Sequence, residues 1–166
     1  TGKRSWLSHN SSDWSIVIQD DAVIGSSFYE NIESALNNIP SKTLVSFYVG
    51  KVRPYSDRVQ KAVNDAIFDD ISWVRFNTLL WGVCSAIPTK NIKAIIEYVD
   101  NMHLPYDNKI GQFFKSNHLP VYYTVPSLVD HKDDDTLTGH VTKQKRTAHN
   151  FVGDALFDFN SDYLDL

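Results

Sequence analysis

The amino-acid sequence predicts one α/β domain with a largely parallel sheet. Segments with strand character alternate along the chain with segments whose apolar residues recur at helical spacing. The run Ile16–Ile18 gives the strongest strand signal, because three consecutive β-branched residues favour a strand that is covered on both faces. We therefore expect residues 1–150 to form the domain, with this strand at its centre, and residues 151–166 to form an acidic, aromatic tail.

The predicted strands are short, apolar and bounded by turn residues. They are Ser15–Gln19, Leu44–Val49, Ser72–Phe76, Leu79–Ile87 and Pro120–Thr124. Helices are predicted to begin after Ser27, at Ser56, at Pro88 and at Pro105. Ser27 and Glu30 fit a capping box, in which each side chain would bond the backbone amide at the other's position.

Composition excludes some classes of protein. The chain has a formal net charge of −4, and the tail alone holds four aspartates and no lysine or arginine. A general nucleic-acid binder would instead be basic over much of its surface. The single cysteine, Cys84, cannot form a disulfide within the chain, which favours a reducing compartment such as the cytoplasm and predicts a core residue. No apolar stretch is long enough to span a membrane.

Two adjacent acids, Asp20 and Asp21, follow the first predicted strand. Open α/β sheets bind their ligands at the carboxyl ends of central strands. Neighbouring carboxylates repel each other, and a divalent cation relieves that repulsion. Because successive side chains of a strand point to opposite faces, we expect one of the two to bind metal directly. The alternative is a solvated turn after the strand.

Three further positions could carry chemistry, and each also has a structural interpretation. Asp107, which follows Pro105, could be a catalytic carboxylate or a helix N-cap. His131, which follows Asp130, could be a metal ligand or an exposed loop histidine. The pair Trp81–Gly82 could stack on a ligand ring, or Trp81 could be a core residue.

Five stretches together resemble a group of phage-encoded glycosyltransferase-like proteins. They are Ile16–Ala22, Val45–Pro54, Trp81–Thr89, Asp107–Gly111 and Tyr123–His131. More distantly, the pattern is similar to the lipopolysaccharide-type glycosyltransferases of family 25, whose strand end reads Glu-Asp-Asp. The chain departs from that pattern at Gln19, which removes one potential ligand.

The resemblance implies a GT-A-like fold and transfer of a sugar from a nucleotide-sugar in the presence of Mn²⁺ or Mg²⁺. It implies that Asp21 and His131 bind the metal and that Asp107 faces the donor sugar or acts as the base on the acceptor. The donor-binding residues that it implies are Gln19, Asp20, Arg53, Trp81 and Gly82. The acceptor would be phage-related, such as modified DNA, protein or glycan, and the compartment would be the host cytoplasm.

A GT-A domain normally begins with a βα unit that binds the nucleotide base, and only about a dozen residues precede the first predicted strand. We therefore expect that unit to come from an upstream segment or a partner chain. One alternative function is a non-catalytic GT-A-like module that contacts a protein partner through its tail. Another is a phosphoesterase or nuclease that uses two metals.

Overall fold

The computed structural model describes residues 2–7, 12–52, 55–100, 102–132 and 146–166. The strands within these ranges are β1 (Trp14–Ile18), β2 (Ala22–Ile24), β3 (Leu44–Ser46), β4 (Trp73–Phe76), β5 (Cys84–Pro88), β6 (Val121–Thr124), β7 (Val129–His131) and β8 (Tyr163–Asp165). The α-helices are α1 (Gly2–Leu7), α2 (Phe28–Asn37), α3 (Ser56–Phe68), α4 (Ile92–Val99) and α5 (Tyr106–Ser116). None of these helices is long and apolar enough to cross a membrane.

The sheet is mixed rather than largely parallel, so that part of the fold prediction was wrong. Six strands lie in the order β1-β5-β3-β6-β4-β8, and β2 pairs with β7 in a second, two-stranded sheet. Only β3–β6 and β4–β8 are parallel pairs, and the other four pairs are antiparallel. The alternation of strands and helices suggested βαβ units. However, α3 joins β3 to β4, and β6 lies between those two strands.

The first strand lies at the edge of the sheet, so the prediction of a central strand was also wrong. β1 pairs antiparallel with β5, from Trp14 opposite Pro88 to Ile18 opposite Cys84. Ile16 and Ile18 remain 38% and 42% exposed. β-branched residues suit any pleated, half-buried surface, so a run of them does not by itself identify a strand covered on both faces.

Two hydrophobic clusters cover the two faces of the large sheet. Leu44, Val121 and their neighbours pack against the apolar faces of α3, α4 and α5. On the opposite face, Val45 and Cys84 pack with α2 and with buried residues from the segment after residue 146. Cys84 is fully buried, which confirms it as a core residue, and burial raises the pKa of its thiol.

The acidic tail is part of the domain's packing. β8 adds to the sheet parallel to β4, and Phe159 is buried in the second cluster. Asn31 of α2 holds the same segment, because its Nδ2 donates to the carbonyl of Ala155 (2.9 Å) and its Oδ1 accepts from the amide of Phe157 (2.8 Å). Residues 151–166 therefore pack against the rest of the domain in spite of their acidic composition.

The predicted capping box on α2 is absent, although the helix begins where it was expected. The Oγ of Ser27 donates to the carbonyl of Asp154 at 2.8 Å and makes no capping bond. The carboxylate of Asp154 accepts from the amide of Ser26 at 2.7 Å, which lowers the pKa of Asp154. A contact distant in sequence has therefore replaced the local cap.

Candidate functional site

Asp20 and Asp21 lie in a tight turn between β1 and β2. The amide of Ala22 donates to the carbonyl of Gln19 at 3.2 Å, which closes the turn. Asp20 is exposed, as the solvated-turn interpretation requires. The turn directs Asp21 toward the second sheet, where β2 pairs antiparallel with β7 and Ala22 lies opposite His131.

Asp21 and His131 are in contact. The Nε2 of His131 lies 3.0 Å from the Oδ2 of Asp21, and the amide of Lys132 donates to the carbonyl of Asp21 at 2.8 Å. The His131 side chain is 7% exposed and that of Asp21 is 45% exposed. His131 is therefore a buried strand residue, and the alternative of an exposed loop histidine was wrong.

Each partner of this contact has a second polar atom that lacks a hydrogen bond within the described part of the chain. The Oδ1 of Asp21 and the Nδ1 of His131 are both buried, and neither has a partner among the described residues. A proton on Nδ1 would be a buried donor without an acceptor, so we assign the proton of neutral His131 to Nε2, which donates to Asp21. The bare Oδ1 is costly to bury and is the kind of atom that a cation would satisfy.

The Asp21–His131 pair could supply two ligands to a metal ion. Two neighbouring ligands of an octahedral ion such as Mg²⁺ lie about 3 Å apart, since each bond is roughly 2.1 Å long. The observed separation of 3.0 Å between Nε2 and Oδ2 equals that spacing, but it is also the length of the hydrogen bond between them, so a metal that binds Nε2 must displace the proton assigned there. No group of three histidine, cysteine or acidic side chains suited to a metal occurs in the part of the chain that the structure describes. Phosphate oxygens and waters would have to complete the coordination.

A second group of candidates meets at Gly82. A Cβ atom built on Gly82 would lie 2.9 Å from the Cβ of Asp107 and 3.8 Å from both the Cγ of Asp107 and the Nε2 of Gln19. These residues come from the first turn of α5, the end of β1 and the loop before β5. The fold therefore brings together a carboxylate and a side-chain amide beside a residue that has no side chain.

Asp107 is not the N-cap of α5, so that interpretation was wrong. The N-cap position is Pro105, and Asp107 is the second residue of the helix. Its Oδ1 accepts from the amide of Asn108 at 2.9 Å. The first turn of a helix favours negative charge, which suits a carboxylate at this position.

Trp81, which precedes Gly82 in the chain, packs against two tyrosine rings. Its ring makes edge-to-face contacts with Tyr48 and Tyr123, each with a centroid separation of 6.1 Å. Its indole N–H donates to the carbonyl of Val52 at 3.3 Å. The ring of Tyr48 also lies 6.5 Å from that of His131, so tyrosine packing connects the tryptophan to the Asp21–His131 pair. A role for Trp81 in donor binding stays a prediction.

Arg53 lies outside the described residues. Asp130 has a contact that the sequence interpretation did not assign, because its Oδ1 accepts from the amides of both His131 and Ala148. The sequence signal for Asp130 was its place as an acid directly before the candidate histidine.

An open polar depression formed by Lys51 and by α3 residues from Ser56 to Asp65 shares no residue with the candidate site.

Comparison of the chain with protein-family models, curated proteins and solved structures found no match.

Proposed function

We propose that this chain is a metal-dependent glycosyltransferase domain of the GT-A-like class, acting on a nucleotide-sugar. The observation that carries the proposal is the 3.0 Å contact between Asp21 and His131, together with the unpartnered, buried Oδ1 of Asp21. These two residues are far apart in the sequence, and they are the two to which the resemblance assigns metal binding. Their contact and the bare oxygen both fit a divalent cation.

Asp21 and His131 would hold Mn²⁺ or Mg²⁺, with the diphosphate of the donor as a further ligand. Carboxylate and imidazole together suit Mn²⁺, and Mg²⁺ commonly binds one or two carboxylates plus substrate phosphates. When bound, the cation would neutralise the negative charge that develops on the leaving diphosphate.

The neighbourhood of Gly82 would receive the reacting sugar. The Oδ1 of Asp107 is occupied by the amide of Asn108, while no hydrogen bond to its Oδ2 is found among the described residues. That oxygen would take the proton of the acceptor hydroxyl. The amide of Gln19 would donate a hydrogen bond to a sugar or ribose oxygen, and exposed Asp20 would accept one from a hydroxyl. Arg53 would bind a phosphate oxygen.

Calorimetric titration with Mn²⁺ tests the metal site. We expect one site in the wild type and a strong loss of affinity in Asp21→Ala and in His131→Ala. Asp158→Ala is the matched control, since Asp158 is exposed and makes no hydrogen bond or ion pair with any described residue. Equal Mn²⁺ affinity in the wild type, Asp21→Ala and the control would contradict the proposal.

Titration with nucleotide-sugars tests the donor site separately. UDP-sugars and other nucleotide-sugars would be added to the protein with and without Mn²⁺. We expect the affinity to increase with the metal and the increase to disappear in Asp21→Ala. Nucleotide-sugar affinity that does not respond to Mn²⁺ would refute a metal-bound diphosphate.

A non-catalytic binding module is the second candidate, and one observation favours it. Asp21 and His131 are neighbours across the β2–β7 pair, so their hydrogen bond could simply hold this small sheet together. In that case neither metal nor nucleotide-sugar would bind. Such a module would not recognise its partner through the aromatic residue Phe159, which is buried in the protein's own core.

A further inference from the structure

Asp130 connects two parts of the chain that meet beside His131. It lies in β7 between Val129 and His131. Its Oδ1 accepts one hydrogen bond from the amide of His131 at 2.8 Å and a second from the amide of Ala148 at 2.6 Å. Both bonds are charge-assisted when the carboxylate is ionised, and such bonds are stronger than those between neutral groups.

The segment that contains Ala148 is itself bonded to the segment that follows β3. Ala148 forms an antiparallel bridge with Gly50, and the amide of His149 donates to the carbonyl of Val49 at 2.7 Å. The amide of Lys51 donates to the carbonyl of Thr147 at 3.1 Å. The segment therefore gives Asp130 a partner that is held in place by two backbone hydrogen bonds of its own.

The strand that carries His131 has little stability of its own. β7 has three residues and pairs only with the three residues of β2 within the described chain. An isolated pair of such short strands is at best marginally stable in water. The backbone of His131 must therefore be fixed from outside the pair. Val129 is fully buried and its amide donates to the carbonyl of Phe47 at 3.3 Å, which holds the first residue of β7, and the double hydrogen bond of Asp130 is placed to hold the next two.

We propose that Asp130 is a positioning residue for the metal site, which it serves by fixing the backbone of His131 against the segment around Ala148. This inference rests on the proposed metal-binding function of Asp21 and His131. Groups that hold metal ligands in place influence affinity without touching the metal, and their loss typically weakens binding about 10- to 100-fold.

The principal experiment measures Mn²⁺ affinity in the wild type, Asp130→Ala, Asp130→Asn and the control Asp158→Ala. We expect Asp130→Ala to bind Mn²⁺ about 10- to 100-fold more weakly. Asp130→Asn retains most of the affinity, because its amide oxygen can still accept both hydrogen bonds. Asp158→Ala binds like the wild type. If Asp130→Ala also binds like the wild type while Asp21→Ala does not, the inference is wrong and the metal site stands.

Asp130→Glu provides the second variant, should Asp130→Ala fail to fold. It keeps the charge but moves the carboxylate by one methylene group, so we expect a folded protein with weakened Mn²⁺ binding. Wild-type affinity in Asp130→Glu would overturn the positioning role. Amide hydrogen exchange gives a readout without metal, in which Asp130→Ala speeds exchange at His131 and Ala148. Wild-type protein that fails to bind Mn²⁺ would instead refute the proposed function on which this role depends.

Discussion

Gly82 and Asp107 lie so close together that any side chain at position 82 would press against the carboxylate residue. A Cβ atom on Gly82 would be 2.9 Å from the Cβ of Asp107, a separation that Cβ contacts essentially never show. Gly82 is not among the described residues with positive φ, so its backbone conformation is open to alanine. The requirement for glycine here comes from the neighbour and not from the turn.

Gly82→Ala is therefore expected to destabilise the protein through this contact. Overpacking of a close contact typically costs about 1–3 kcal/mol, measured as a lower free energy of unfolding in urea. Asp107→Gly removes the opposing Cβ and is the matched background for the test. We expect Gly82→Ala to cost less in Asp107→Gly than in the wild type, because the colliding atom is gone. An equal cost in both backgrounds would show that another neighbour is responsible.

Asp107→Asn separates a catalytic role for this residue from a structural one. The amide oxygen of asparagine can accept the same hydrogen bond from the amide of Asn108, so we expect the melting temperature to stay close to that of the wild type. Asparagine cannot take a proton at neutral pH, so sugar transfer should be lost. Transfer assayed with a nucleotide-sugar donor and Mn²⁺ measures this, and turnover at the wild-type rate would remove Asp107 from the mechanism.

Most elements could be predicted from the sequence because their signals are local. The apolar spacing of α3 and the β-branched and aromatic run in β4 identify a helix and a strand without knowledge of their neighbours. The order of strands could not be predicted in this way. Short apolar segments such as Cys84–Pro88 fit beside several others, and only packing of the complete chain selects β1 and β3 as the neighbours of this one.

In the candidate site, too, the residues had local sequence signals and their contacts did not. Asp21 and His131 could be named from the sequence, because acids after a strand and a histidine after an acid are local patterns. Their 3.0 Å contact depends on the pairing of β2 with β7, and neither strand was predicted. Asp130 could be noticed as an acid beside the candidate histidine. Its contact with Ala148, like the contact of Asn31 with Phe157, joins residues that are distant in the chain and so had no local signal.

Stability is expected to fall in mild acid because of His149. Burial lowers the pKa of this histidine, and the positive charge of Lys51 lowers it further. Its folded pKa therefore lies below the unfolded value of about 6.5, so the unfolded chain binds more protons between these two values. The free energy of unfolding should decrease as pH falls from about 6.5 toward the folded pKa. Urea unfolding at several pH values would measure this dependence.

His149→Gln should show a weaker pH dependence than the wild type in the same interval, because the residue that titrates there is gone. His103→Gln is the matched control, since His103 is exposed. If His149→Gln and His103→Gln change the pH dependence equally, the effect does not come from the buried histidine.

Asn31→Ala is expected to loosen the C-terminal segment more than the rest of the domain. The substitution removes the acceptor for the amide of Phe157 and the donor to the carbonyl of Ala155, and it leaves two backbone groups without side-chain partners. The loss should be about 1–3 kcal/mol, since each of the two part-buried hydrogen bonds contributes roughly 0.5–1.5 kcal/mol. Asn38→Ala is the matched control, because the side chain of Asn38 donates only to the carbonyl of Ser34 among the described residues and makes no hydrogen bond with the C-terminal segment. Limited proteolysis should cleave residues 151–166 faster in Asn31→Ala than in Asn38→Ala.

Asn31→Asp keeps the acceptor and loses the donor, so its rate of cleavage should lie between those of Asn31→Ala and Asn38→Ala. Equal cleavage in all three variants would show that β8 and Phe159 hold the segment without help from Asn31.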